Sequence, residues 1–141
     1  MPEPPPFPRV LIVDDSIVVR QVLVITLRQI PEFLHADIDE AGNGAVALRK
    51  IAAQRYDLVL SDIRMPLVDG LELVRRVRGD LADARTPIVL ISTLGTDEDV
   101  RRGMEAGATA YIRKPIAPQH IRTALRQLLD PSGPLAGLSK D

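Results

Sequence analysis

The sequence predicts an α/β fold, a parallel sheet with helices packed on both faces. Three observations carry that expectation. The runs Val10–Leu11–Ile12–Val13, Leu58–Val59–Leu60 and Ile88–Val89–Leu90–Ile91 are continuously apolar rather than alternating, as expected of strands covered on both sides. Amphipathic segments with helical spacing separate them. Finally, 141 residues with a hydrophobic content of 45% suffice for one domain with a sizeable core.

The elements follow in order. Five of the first eight residues are proline, which suits neither a sheet nor a helix interior, so residues 1–8 read as an extended leader. The ordered domain is expected over residues 9–129. A flexible tail over 130–141 is marked by Pro131, Gly133, Pro134 and Gly137. After the first strand, Ser16 can cap a helix in which Val19, Leu23, Leu27 and Ile30 repeat until Pro31 stops it. Ala36–Glu40 is a weaker strand, and a second helix is predicted from Gly44 through Ala53. The third helix starts at Gly70 and places Leu71, Val74 and Val77 on one stripe. Asp97 starts the fourth, which ends near Gly107, a suitable left-handed cap. Ala110–Arg113 is the fifth strand. Pro118 begins the last helix, with Ile121, Leu125 and Leu128 facing inward. Five β–α units predict a three-layer αβα sandwich with right-handed crossovers.

Charge and composition narrow the functional classes. A net charge of −1 gives no basic field to draw the chain to nucleic acid or an anionic membrane. Cysteine is absent, which removes disulfides, thiolate catalysis and zinc–cysteine sites and suits a reducing cytoplasm. No apolar run approaches the ~20 residues that span a bilayer, and residues 1–8 lack the pattern of a signal peptide.

The informative feature is where charge falls relative to the strands. In open α/β sheets, ligands bind beyond the carboxyl ends of the strands. The first strand ends in Asp14–Asp15, the third in Ser61–Asp62, the fourth in Ser92–Thr93 and the fifth in Arg113–Lys114–Pro115. Three carboxylates crowded there repel one another unless a cation or a proton intervenes. Oxygen ligands without His or Cys favour a hard ion, Mg²⁺ before a transition metal. Taken singly, Asp14–Asp15 is a helix-capping pair, Asp62 a strand-end turn residue and Lys114 a solvated lysine. Their joint placement favours a site.

The segments Val13–Asp14–Asp15–Ser16, Ser61–Asp62–Ile63–Arg64–Met65–Pro66–Leu67–Val68–Asp69–Gly70, Leu90–Ile91–Ser92–Thr93, Ala106–Gly107–Ala108 and Tyr111–Ile112–Arg113–Lys114–Pro115 resemble the receiver domains of two-component response regulators, especially the single-domain chemotaxis type. The resemblance covers nearly all of residues 9–129. It implies a flavodoxin-like sheet in the order 2-1-3-4-5. It also implies that Asp62 accepts a phosphoryl group from a sensor histidine kinase or a small phosphodonor. Asp14, Asp15, Asp62 and the backbone carbonyl of Arg64 would hold Mg²⁺, and Lys114 would pair with the phosphoryl oxygens and precede a cis proline. Charge neutralisation and positioning are what phosphoryl transfer to a carboxylate requires.

The same resemblance implies that in-line water later removes the phosphoryl group, with Arg64 and Leu94 at rate-tuning positions. It makes Ser92 and Tyr111 a relay: the Ser92 hydroxyl moves toward the new oxygens, and Tyr111 turns inward. That reshapes the surface of the fourth helix, fifth strand and fifth helix for a downstream effector protein. The bland readings are a strand-end hydroxyl for Ser92 and a half-buried core aromatic for Tyr111. Whether the phosphorylated form pairs with itself through its last two helices stays open, as does membership in a larger output protein or hybrid kinase.

Two other classes share these parts. A haloacid-dehalogenase-type phosphatase needs a general acid two residues after its nucleophile, where this chain has Arg64. An acidic pocket disfavours a flavin or nucleotide, and no phosphate-cradling glycine loop exists. The remaining features read as structural. His35 and His120 are solvated, Arg75, Arg76 and Arg78 form a solvated helix face, Arg101 and Arg102 lie near the output surface, and the glycines are turns and caps.

Overall fold

The computed structural model describes residues 8–92, 96–113 and 118–129; the expected leader and tail, apart from Pro8, lie outside the described residues. Five parallel strands, β1 (Arg9–Val13), β2 (Asp37–Ala41), β3 (Leu58–Asp62), β4 (Ile88–Ser92) and β5 (Ala110–Arg113), form one sheet in the order β2-β1-β3-β4-β5. Helices α1 (Ile17–Arg28), α2 (Gly44–Ala53), α3 (Gly70–Arg78), α4 (Asp97–Ala106) and α5 (Pro118–Leu129) alternate with them. The expected α/β sandwich and strand order are thus observed.

Strand periodicity divides the core into two layers. Val10, Ile12, Leu60, Val89 and Ile91 face Leu23 and Leu27 of α1 and Ile121 and Leu125 of α5. Leu11, Val13, Val59 and Leu90 face Ala47 and Ile51 of α2 and Leu73, Val74 and Val77 of α3. Most of these side chains are fully buried, each contributing about 1.5–3 kcal/mol of hydrophobic stabilisation. The expected inward-facing Leu128 lies outside the described side chains.

Several boundaries differ from expectation for local reasons. Helix α1 ends at Arg28, before the proline, because Ile30 precedes Pro31 and adopts an extended conformation. Pro31–Phe33 then forms a 3₁₀ turn that buries Phe33 completely. That turn uses the Ala36 N–H, which donates to the Phe33 carbonyl, so β2 starts one residue later than predicted, with Arg9 in register with Asp37. In α3 the buried stripe is Leu73, Val74 and Val77, while Leu71 is only partly covered.

Arg78 is a correction of substance. It is not on a solvated face with Arg75 and Arg76. Its partly buried guanidinium donates to the carbonyls of Gly107, Asp83 and Thr86, and burial lowers its pKa, with the Asp83 charge acting in the opposite sense. Gly103 is likewise neither turn nor cap. It is the buried residue of α4, where an added Cβ would meet the Leu90 side chain at 2.8 Å.

Candidate functional site

Buried β1 delivers Asp14 to the carboxyl-terminal edge of the sheet, where its side chain is only 2% exposed. One Asp14 carboxylate oxygen accepts the Ser16 N–H at 2.9 Å, and Ser16 in turn caps α1 by accepting from the Val19 N–H. The Arg20 guanidinium donates to the Asp14 carbonyl at 2.6 Å while pairing with Glu40 at 2.9 Å. Asp14 is therefore held from the front by a cap and from behind by an arginine. Asp15 follows, exposed.

The loop after β3 is built to present Asp62. The Asp62 carboxylate accepts the N–H of Ile63 at 2.8 Å. Asp69 caps α3 by accepting from the Glu72 N–H, also at 2.8 Å; a cap of this kind contributes ~1 kcal/mol. Gly70 lies against the backbone of Asp62. A Cβ there would fall 2.3 Å from the Asp62 carbonyl oxygen and 2.9 Å from Ile63 Cα. Gly44, the first residue of α2, approaches Val68 as closely, with 2.2 Å between an added Cβ and the Val68 carbonyl oxygen. Between these two contacts, Leu67 is held in the left-handed region at φ 69 and is 83% exposed. That conformation costs a leucine roughly 1–2 kcal/mol.

Asp14, Asp15 and Asp62 consequently each bring a carboxylate oxygen within 4.8 Å of the other two. The donor set is all oxygen and anionic, and a divalent cation placed among the three offsets their mutual repulsion, so the residues fit a hard metal ion. His35 and His120 are exposed and lie outside this cluster. Arg64 is exposed two residues beyond Asp62.

Ser92 ends β4 almost fully buried, one position past Ile91, the residue in register with Asp62. Tyr111 pairs across β4–β5 with Leu90. Its hydroxyl is buried and meets no partner at proper hydrogen-bonding geometry among the described residues. Burial is the main cause that raises its pKa; the Ser92 hydroxyl acts the other way, and the charges of Asp99 and Asp62 add to the rise. Tyr111 thus already has its hydroxyl inside. Lys114 and Leu94 lie outside the described residues.

Sequence reasoning found the three carboxylates and the Ser16 cap but missed Asp69 and Arg20. The capping role of Asp69 was signalled by Glu72 three residues later, a capping-box spacing. Arg20 carried no such signal, because its partners Asp14 and Glu40 come together only through the β1–β2 pairing.

The comparisons agree with this geometry. Residues 10–126 match the response regulator receiver domain family. The chain is 42% identical over 106 residues to a gliding motility regulatory protein of Myxococcus xanthus, covering 75% of this chain and 13% of that protein. It is 35% identical over 122 residues to chemotaxis protein CheY1 of Helicobacter pylori (strain ATCC 700392 / 26695), covering 86% of this chain and 96% of that protein. The chain spans about half or less of the length of several curated relatives it matches. Among solved structures, chemotaxis protein CheY4 of Vibrio cholerae superposes with a TM-score of 0.75 at 33% identity, covering 85% of this chain and 97% of that one. With the sheet order, the acidic edge and the match along residues 10–126 in agreement, the protein belongs to the response regulator receiver domain family of two-component systems.

Proposed function

We propose that Asp62 accepts a phosphoryl group from a sensor histidine kinase and that the modified chain controls a downstream effector protein. The observation that carries this reading is the gathering of three carboxylate oxygens within 4.8 Å at the carboxyl edge of the sheet. Carboxylates so placed fit Mg²⁺, held by Asp14, Asp15 and Asp62 with the backbone carbonyl of Arg64 as a further ligand. The bound ion would neutralise the oxygens of the transferring group.

In the transfer, an Asp62 carboxylate oxygen forms a bond to phosphorus as the donor's bond to phosphorus breaks, and the donor leaves with that electron pair. The Ile63 N–H holds the Asp62 carboxylate while Gly70 packs against the Asp62 backbone, which supplies positioning. Lys114, in the role that the family resemblance implies, pairs with the phosphoryl oxygens. Ser92 donates its hydroxyl to one of them. Hydrolysis by in-line water returns Asp62 to its carboxylate, with Arg64 and Leu94 tuning the rate.

The switch acts through Tyr111. Because the ring already has its hydroxyl buried, phosphorylation shifts a population toward that arrangement rather than creating a new one. The surface it alters is α4, β5 and α5. No described helix is long and apolar enough to cross a membrane, and we place the chain in the cytoplasm with its kinase. Since the chain spans only 13% of its Myxococcus xanthus relative, a second reading has the same switch regulating an output region of a larger protein.

The test is incubation with acetyl phosphate and Mg²⁺, followed by intact-mass measurement. One added phosphoryl group is expected, absent in Asp62→Asn and absent when EDTA replaces the metal. Labelling that persists in Asp62→Asn would overturn the assignment.

A further inference from the structure

The ends of α4 are attached to the sheet in different ways. At the carboxyl end, Arg78 reaches from the last turn of α3 and gathers two connecting segments. Its Nε donates to the Gly107 carbonyl at 3.0 Å, one Nη to the carbonyls of Asp83 (3.1 Å) and Thr86 (2.8 Å), and the other to the Thr109 hydroxyl at 3.5 Å. Thr109 is itself locked to β4: its hydroxyl accepts the Ile88 N–H at 3.0 Å, and its own N–H donates to the Ile88 carbonyl at 2.8 Å. Gly107 sits at φ +111, and a Cβ there would meet Arg78 Cγ at 2.9 Å, so the arginine stem also fills the space under the cap.

At the amino end, among the described residues, an ion pair joins Arg113 of β5 to Asp97 at 2.7 Å, with side chains 53% and 100% exposed. Such a pair contributes little in water. The first turn carries Asp97, Glu98 and Asp99, and the arginines of this helix pair with its own glutamates. Only Gly103, midway along, is buried, resting near the Leu90 and Tyr111 side chains.

We propose that Arg78 is a positioning residue that makes the carboxyl end of α4 a fixed pivot, so that rearrangement at Tyr111 swings the amino-terminal half of the helix about Gly107. The inference rests on the proposed switch for what drives the motion, but not for the pivot. A guanidinium with acceptors on the α3–β4 connection and the α4–β5 turn resists translation of the helix end. Among the described residues, the helix before Gly103 carries no fully buried side chain and one solvated ion pair to β5, which resists little.

The test is amide hydrogen exchange, resolved by residue, on the whole chain with and without Mg²⁺ and beryllofluoride as phosphoryl mimic. Arg78→Met keeps the stem and removes the donors; Arg78→Lys keeps charge but loses the fork. In the wild type, the Gly107, Ala108 and Thr109 amides should exchange at least roughly tenfold more slowly than those of Val100 to Arg102. The mimic should change only the faster group. Either variant should lose most of that difference, and the mimic's effect should then spread to residues 107–109. Equal exchange along the wild-type helix, or a gradient that survives in both variants, would overturn the pivot. Should neither variant fold, the wild-type gradient alone decides. A gradient present while the mimic changes nothing would refute the phosphoacceptor reading and leave the pivot standing.

Discussion

At the amino-terminal edge of the sheet, polar groups meet complementary partners, whereas at the carboxyl-terminal edge like charges are brought together. Tyr56 donates to Asp39 at 2.7 Å, Gln54 donates to the same carboxylate at 2.9 Å, and Arg9 donates to Gln54 at 3.0 Å. Burial works against the charge on Asp83, yet hydrogen bonds from Thr86 and Arg85 outweigh it and hold the carboxyl below the usual range. At the opposite edge, Asp14, Asp15 and Asp62 lie within 4.8 Å of one another. Complementary groups make structure. Gathered like charges cost stability, and a fold tolerates that cost where something outside the chain is to be bound.

The largest expected effect comes from the backbone that holds the acidic edge. Gly70→Ala drives a methyl group into the Asp62 carbonyl, and neither backbone can yield without moving the acceptor. The variant is expected to lose about 3 kcal/mol in denaturant titration and, where folded, its phosphoryl labelling.

At the matched edge, Tyr56→Phe should cost about 1–2 kcal/mol at neutral pH, since it removes a buried hydrogen bond to a carboxylate. The pH dependence adds a sign. Burial, then the bond to Asp39, raises the Tyr56 pKa from 10.0 to about 12. The unfolded chain therefore releases this proton first. The stabilisation is fully present below about pH 10 and is lost as pH rises toward about 12. Wild-type denaturation midpoints should fall across that window, and the phenylalanine variant should lack that part of the fall.

How far these features were legible in the sequence follows the same division. The apolar runs of β1, β3 and β4 report burial on both faces. Gly44–Ala53 was bounded correctly because Asn43 caps it and the chain turns extended at Gln54. Asp14, Asp15 and Asp62 could be brought together from sequence because strand ends in a parallel sheet share an edge, so topology alone sets their proximity. The far reach of Arg78 could not. Its acceptors lie as many as 31 residues away in sequence, and a helix-surface arginine looks alike whether solvated or buried. The left-handed Leu67 was hidden too, since a leucine carries no local preference for positive φ.

A smaller effect sharpens the contrast. Asp15→Asn removes one of three like charges from an exposed position. Without divalent cation, its stability should rise by roughly 0.5 kcal/mol, measured by thermal unfolding, and the stabilisation that Mg²⁺ gives the wild type should largely vanish. A carboxylate removed at the matched edge, as in Asp39→Asn, should lower stability with or without the ion.

The most direct measurement is a Mg²⁺ titration of the wild type followed by backbone amide shifts. A single saturable site is expected, with shifts concentrated at residues 13–16 and 61–64 and the response weakened at least tenfold in Asp15→Asn. Shifts centred on the Tyr56 and Asp83 edge, or affinity unchanged by Asp15→Asn, would contradict a cation held by the gathered carboxylates.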